Sequence, residues 1–390
     1  MKHNKLDEND IIKLQQKAKE RTVKTQNVEY DLETMVKRIN SNQIKLNPEY
    51  QRNHRWSDET ASRLIESLIL NIPIPTIYLS QDIDADEEVT DQSISRFSVI
   101  DGQQRLTSIK RFIENDLILT KMDVLSNLEG YRYKDLPGFL VRRLEERTIK
   151  CLRIDSTLDT QVKYDIFERL NSGSVKLEAQ ELRNAIYRGP FNDLIKELAK
   201  NEDFRILNKI DISNPEENKK VKKMEDVELV LRFLSLIDDR YKNYKPALKN
   251  YLSDSMKTFS ENINEFKLLE YKDIFERTMS YIRTYLGESA FAKYKYLGSK
   301  DNSERLAYAS KFNVAVFDSL SVAIADEVIK ENIDRKTSDK SLDMSNFNKK
   351  YLLLFKDPDF LSLVSTSIND KVKLESRIDT VKVLLRGEIK

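Results

Sequence analysis

Five consecutive residues, Asp101-Gly102-Gln103-Gln104-Arg105, have the types and spacing that chemistry on a phosphate requires. They follow Arg96-Phe97-Ser98-Val99-Ile100, which reads as a strand. They open a stretch from Gln103 to about Glu114 whose Leu106, Ile109 and Ile113 share one helical face. Gly102 lets the backbone turn sharply and approach a ligand closely. Beyond it, the first N–H groups of a helix and the helix dipole together favour an anion. Arg105 in the first turn adds a permanently charged fork for phosphate oxygens. Gln103 and Gln104 can donate to such oxygens or orient a water. Asp101 can hold magnesium through water or serve as base to an attacking water. An Asp-Gly pair ahead of a helix is equally a common surface turn, and on the residues alone both readings stand.

What the chain lacks removes several enzyme classes. His3 and His54 are its only histidines, so a two-histidine zinc helix, a histidine–cysteine finger and a His-Asn-His nuclease site are unavailable. The one cysteine, Cys151, lies in the alternating stretch Thr148–Ile154 and reads as a buried strand residue rather than a reactive thiol. Lys and Arg (66) nearly cancel Asp and Glu (65), so contact with nucleic acid has to come from local patches. Lys219, Lys220, Lys222 and Lys223 form one cluster and Arg142, Arg143 and Arg147 another; such clusters are also ordinary solvated faces. The first residues show no apolar signal region, and no stretch approaches the ~18 apolar residues of a membrane helix. The expectation is a soluble, cytoplasmic protein.

These residues need elements to position them. In 390 residues, 8 Gly and 8 Pro imply mostly helix and short loops. Residues 1–25 read as a charged leader helix. Leu32, Met35, Val36 and Ile39 predict a short helix. Ser57 caps another that carries Ala61, Leu64, Ile65 and Leu68 inward and stops before Pro73 and Pro75. Thr76–Ser80, Arg96–Ile100 and 148–154 read as strands, with the acidic stretch 82–91 as a loop. Gln161–Leu170 and Leu177–Tyr187 have helical patterns around the turn 171–174. Beyond about 190 strand signals nearly vanish. Met224–Ile237, Tyr271–Leu286, Leu306–Ala325, Phe347–Phe355 and Ile378–Leu385 read as helices, with loops at 213–223 and 330–346. An α+β domain followed by a mostly α-helical domain is the economical arrangement.

Four motifs, in order, carry a resemblance to a known family. Tyr50-Gln51-Arg52, Trp56-Ser57, Ile72-Pro73-Ile74-Pro75 and Val99–Thr107 look like the bacterial DGQQR family, whose fold is ParB/sulfiredoxin-like. That family occurs in GmrSD-type restriction enzymes and SspE-type phage-defence proteins. Phe167–Gly173, followed by Leu177 and Glu181-Leu182-Arg183-Asn184, matches its next block, so the resemblance spans roughly residues 30–190. It implies domains at 26–190 and 191–390, the first with a small sheet.

It also implies that the turn binds a nucleoside triphosphate of unidentified base with Mg2+ and supports its hydrolysis, coupled to DNA sensing. Asp101, Gln104 and Arg105 then take catalytic roles. Gly102 and Gln103, with Gln51, Arg52 and Asn171 approaching from neighbouring segments, hold the nucleotide; no resident metal ligand set is expected. Arg55 reads equally as an added charge or a solvated side chain, and Trp56 as a core anchor before a stacking platform. The partners implied are DNA, a defence-system protein or nuclease subunit, and further copies of the chain. The chain departs from its relatives in lacking their His-Asn-His module. A non-catalytic DNA-binding or protein-interaction module is the alternative. Aromatics of the second half, among them Tyr281, Tyr285, Phe291, Tyr294, Tyr296, Phe312 and Phe317, are expected mainly to fill its core.

Overall fold

The computed structural model describes residues 23–46, 56–81, 96–155, 178–187, 189–298, 304–334 and 344–387, with isolated positions at 11, 14–16 and 166. The leader before residue 23, the acidic stretch 82–91 and the pattern 161–170 therefore lie outside the described residues, apart from those isolated positions. Two units are distinguished, Met1–Leu177 and Glu178–Lys390.

Local chemistry accounts for the helices of the N-terminal unit. Asp31 accepts the Thr34 N–H at 2.6 Å and caps α1 (Leu32–Asn40), which buries Leu32, Met35, Val36 and Ile39. Ser57 accepts the Thr60 N–H at 3.2 Å and caps α2 (Asp58–Ile69). Asn71 in the left-handed region ends the run before Pro73. Two more helices follow, α3 (Gln103–Ile113) and α4 (Gly138–Glu145).

They accompany a five-stranded mixed sheet of β1 (Thr25–Asp31), β2 (Ile44–Lys45), β3 (Ile77–Gln81), β4 (Phe97–Asp101) and β5 (Thr148–Ile154), in the order β1-β5-β3-β4-β2. β1–β5 and β3–β4 run antiparallel, β5–β3 and β4–β2 parallel. One core joins Met35, Ile65, Leu106 and Ile109 of the helices to Ile77, Leu79, Val99, Ile149 and Cys151 of the strands. The two-residue spacing within β3 and β5 is what a half-packed strand requires. β1 was not expected from sequence: five of its seven residues are exposed or half-buried polar groups, as suits an edge.

The C-terminal unit is helical: α5 (Ala179–Ile186), α6 (Pro190–Leu198), α7 (Glu202–Leu207), α8 (Lys219–Lys222), α9 (Glu225–Leu236), α10 (Leu248–Asn262), α11 (Glu265–Leu286), α12 (Val314–Asp334), α13 (Met344–Leu353), α14 (Pro358–Leu363) and α15 (Lys371–Leu385). α9 and the described part of α12 are buried on most sides and supply much of its core. By its contacts α5, at the end of the stretch expected as the first domain, groups with the second unit. Arg183 explains this: it donates to Glu228 at 2.9 Å and to Ser253 at 3.3 Å, tying α5 into the second unit.

Three sequence expectations are corrected here. The stretch 306–310 is not helical but belongs to β7 (Glu304–Ser310), which pairs antiparallel with β6 (Lys293–Gly298). The Lys-Tyr-Lys-Tyr alternation at 293–296 was the overlooked strand signal, and Tyr294 and Tyr308 lie 5.3 Å apart across the pair. The supposed loop 213–223 contains a short 3-10 turn, Pro215–Glu217, and α8. The supposed loop 330–346 begins inside α12 and ends inside α13.

Candidate functional site

Asp101 is the last residue of β4, and a register shift beside it sets its position. Leu79 pairs with Val99, whereas the preceding residue of β3, Tyr78, pairs with Asp101. Ile100 is therefore an extra residue on β4, a bulge that re-aims the strand end. Gly102 follows with φ 97° and ψ 9° and, as a glycine, brings no side-chain cap of its own to the first turn of α3. The left-handed angle and the packing both require glycine: an added Cβ would stand 2.2 Å from Ile77 Cδ1.

Arg105 reaches inward. Its Nη2 donates to Asp101 Oδ2 at 2.7 Å, and its Nη1 donates to the carbonyl of Pro75 and, at 3.4 Å, to that of Thr76. Burial pulls the guanidinium below its ordinary pKa, while Asp101 beside it opposes the shift. With 8% of its surface exposed, this arginine braces the turn against the entry to β3. Asp101 keeps Oδ1 outside that pair, and its side chain is about one-third exposed, at 34%. Gln103 is buried and Gln104 half-buried, with Ser108 donating to the Gln104 carbonyl at 2.8 Å.

The structure thus brings Asp101, Gly102, Gln103, Gln104 and Arg105 together at one strand-to-helix turn. Gln51, Arg52, His54, Arg55 and Asn171 lie outside the described residues. Pro75, Thr76 and Ile77, which hold the turn, were read from sequence as a helix stop and the start of a strand, not as supports of the turn. Their signal was the Pro-Ile-Pro run that keeps the backbone extended just before a strand. Trp56 is half-buried and packs against the core, and Cys151 is buried, its thiol pushed up to about 12 by burial.

The lysine cluster is largely engaged. Lys220 turns inward onto the carbonyl and Oδ1 of Asn208 at 2.9 and 2.6 Å, with its ammonium 3.8 Å from the Phe312 ring centroid. Lys222 pairs with Glu217 and Lys223 with Glu178. In the other cluster Arg147 donates to the Leu68 carbonyl at 3.0 Å. Arg142 and Arg143, in the last turn of α4, are exposed and form no ion pair among the described residues. No group of three or more His, Cys, Asp or Glu side chains is arranged for a metal among those residues. No described helix is long and apolar enough to cross a membrane.

Sheet, bulge and braced turn define an α+β domain organised around an Asp-Gly-Gln-Gln-Arg strand-to-helix junction. Residues 32–188 match the family model of the GmrSD restriction endonuclease N-terminal domain, and this stretch is a domain of that type. The match links the chain to restriction and phage-defence systems. Comparison with curated proteins and with solved structures finds no match.

Proposed function

We propose that the Asp101–Arg105 turn binds a nucleoside triphosphate with Mg2+ and supports its hydrolysis, as the sensor or effector subunit of a restriction system acting with DNA or a partner protein. The observation that carries this reading is the left-handed glycine between the end of β4 and the start of α3, with an aspartate held at its edge. In this reading the polyphosphate lies on the first-turn backbone, with Gln103 and Gln104 beside it. Gln51, Arg52 and Asn171 approach from their own segments of a ParB/sulfiredoxin-like domain. The residues fit magnesium only as a companion of the nucleotide, since Asp101 Oδ1 is the one carboxylate oxygen the turn offers. Asp101 orients the attacking water through that oxygen, and Arg105 acts by fixing Asp101 and the turn.

A thermal-shift screen of ATP, GTP, CTP and UTP, with and without magnesium, tests the binding. A nucleotide at a hundred times its Kd should add about 2.7 kcal/mol of stability. Asp101→Asn should still bind but release phosphate well below the wild-type rate. No shift with any nucleotide would end the binding claim, and wild-type turnover in Asp101→Asn would reduce that residue to a turn former.

One observation favours a second reading, a DNA-binding module without catalysis: the exposed Arg142 and Arg143, which form no ion pair among the described residues. Each phosphate contact there would steepen the salt dependence of DNA affinity, so Arg142→Ala/Arg143→Ala should flatten the slope by about 2. An unchanged slope would remove this face from consideration.

A further inference from the structure

Away from the turn, the helices of the N-terminal unit leave a cavity of about 230 Å³. Leu68 of α2, Ile109 of α3 and Leu144 of α4 form its walls. All three are at least nine-tenths buried, so the inner walls are apolar. A cavity of about 150 Å³ with such walls is already enough to admit benzene.

Its rim has a different character. Glu33 of α1 and Glu145 of α4 line the cavity and are exposed, and Tyr133 is half-buried between cavity and solvent. Tyr133 is held edge-on by Phe112, with ring centroids 5.8 Å apart at 84°. Among the described residues neither carboxylate forms an ion pair, and the Tyr133 hydroxyl forms no hydrogen bond. An apolar chamber edged by two uncompensated carboxylates and a phenol is complementary to a ligand that is apolar at one end and cationic at the other. The Tyr133 phenol reports the same field: burial pushes its pKa up, and Glu145 and Glu33 raise it further. Negative charge that disfavours phenolate favours an ammonium group at the same spot.

We propose that this cavity is a binding site for a small apolar ligand with a cationic head, of the arylalkylammonium class. The aryl group fills the space among Leu68, Ile109 and Leu144. The ammonium group stays at the rim, within reach of Glu33, Glu145 and the Tyr133 hydroxyl. The site is separate from the Asp101–Arg105 turn and does not depend on nucleotide binding there.

Three probes of one shape and different charge test it on the whole chain: phenethylammonium, 2-phenylethanol and 3-phenylpropionate, followed by calorimetry and by amide shifts in a labelled sample. The ammonium should bind tightest and the carboxylate weakest, with shifts centred on residues 109–113 and 140–145. Glu33→Gln/Glu145→Gln alters only exposed side chains. It should weaken the ammonium about three- to tenfold, the range expected for two solvent-facing ion pairs, and leave the alcohol unchanged. Ile113→Trp, at the half-buried edge, should block all three probes while circular dichroism and denaturation midpoint stay near wild type. No binding by any probe, equal binding by all three, or shifts centred elsewhere would each overturn the assignment.

Discussion

Gly102 is fixed by two constraints that a substitution can separate. Its φ of 97° lies in the left-handed region, and the space where a Cβ would go is taken by Ile77. Gly102→Ala should therefore lower stability by about 2–4 kcal/mol, combining backbone strain with overpacking. Adding Ile77→Ala removes the contact but not the strain, so the double variant should be more stable than the sum of the single losses, yet remain below Ile77→Ala alone. Denaturant midpoints of the four proteins measure this; a strictly additive cycle would show that the contact carries no energy. Arg105→Lys, followed by the same denaturant midpoint, tests the brace on this turn separately. A single ammonium cannot span Asp101 and the Pro75 and Thr76 carbonyls, so about 2 kcal/mol should be lost despite the retained charge. The turn itself was legible in five residues. The inward course of Arg105 was not, because its acceptors are brought near by the pairing of β3 with β4.

At the scale of elements, α2 organises a long loop from a distance. Glu66 is buried and accepts the N–H groups of Asp123 at 3.1 Å and of Val124 and Leu125 at 2.7 Å each. One turn earlier Ser62 accepts the Thr120 N–H at 2.9 Å. Burial would raise the Glu66 pKa, but the N–H groups of Leu125, Val124 and Asp123, with Arg63, outweigh it and hold it low. A carboxylate whose folded pKa lies below its unfolded value stabilises above the unfolded pKa, and that contribution disappears as pH falls through the folded one. The stability difference between wild type and Glu66→Gln should thus be about 1–3 kcal/mol at pH 7 and shrink below about 4.5, the ordinary glutamate value. A pH-independent difference would mean that shape rather than charge holds the loop. This contact shows where sequence reading stops. Leu32, Met35, Val36 and Ile39 announce α1 by spacing alone, whereas Glu66 among apolar neighbours gives no sign of a partner 57–59 positions away. β1 was silent for a related reason, since an edge strand with little apolar alternation is defined by its partner β5. β6 was passed over despite its Lys-Tyr alternation, and the end of β7 was read as a continuation of the helical pattern of α12.

Across the whole chain, the two units hold their cores together differently, and a single tryptophan makes the difference measurable. The N-terminal core is apolar around the sheet. The C-terminal core contains Asp318 on α12, gripped by Arg232 of α9 through two contacts of 2.6 Å and by Arg377 of α15 through a third of 2.6 Å. All three side chains are almost fully buried. One carboxylate between two guanidiniums joins three helices, and removing it strands two cations away from water. Asp318→Asn keeps the volume but loses the charge, so the C-terminal unit should lose about 3–5 kcal/mol. Trp56, the chain's one tryptophan, lies in the N-terminal unit. In urea, far-ultraviolet dichroism should show the helical transition of Asp318→Asn moving to lower denaturant while the Trp56 fluorescence transition stays at its wild-type midpoint. If both transitions moved together, the units would be unfolding as one cooperative body. If neither moved, the arginines would have found other partners, and the triad would not hold the C-terminal core.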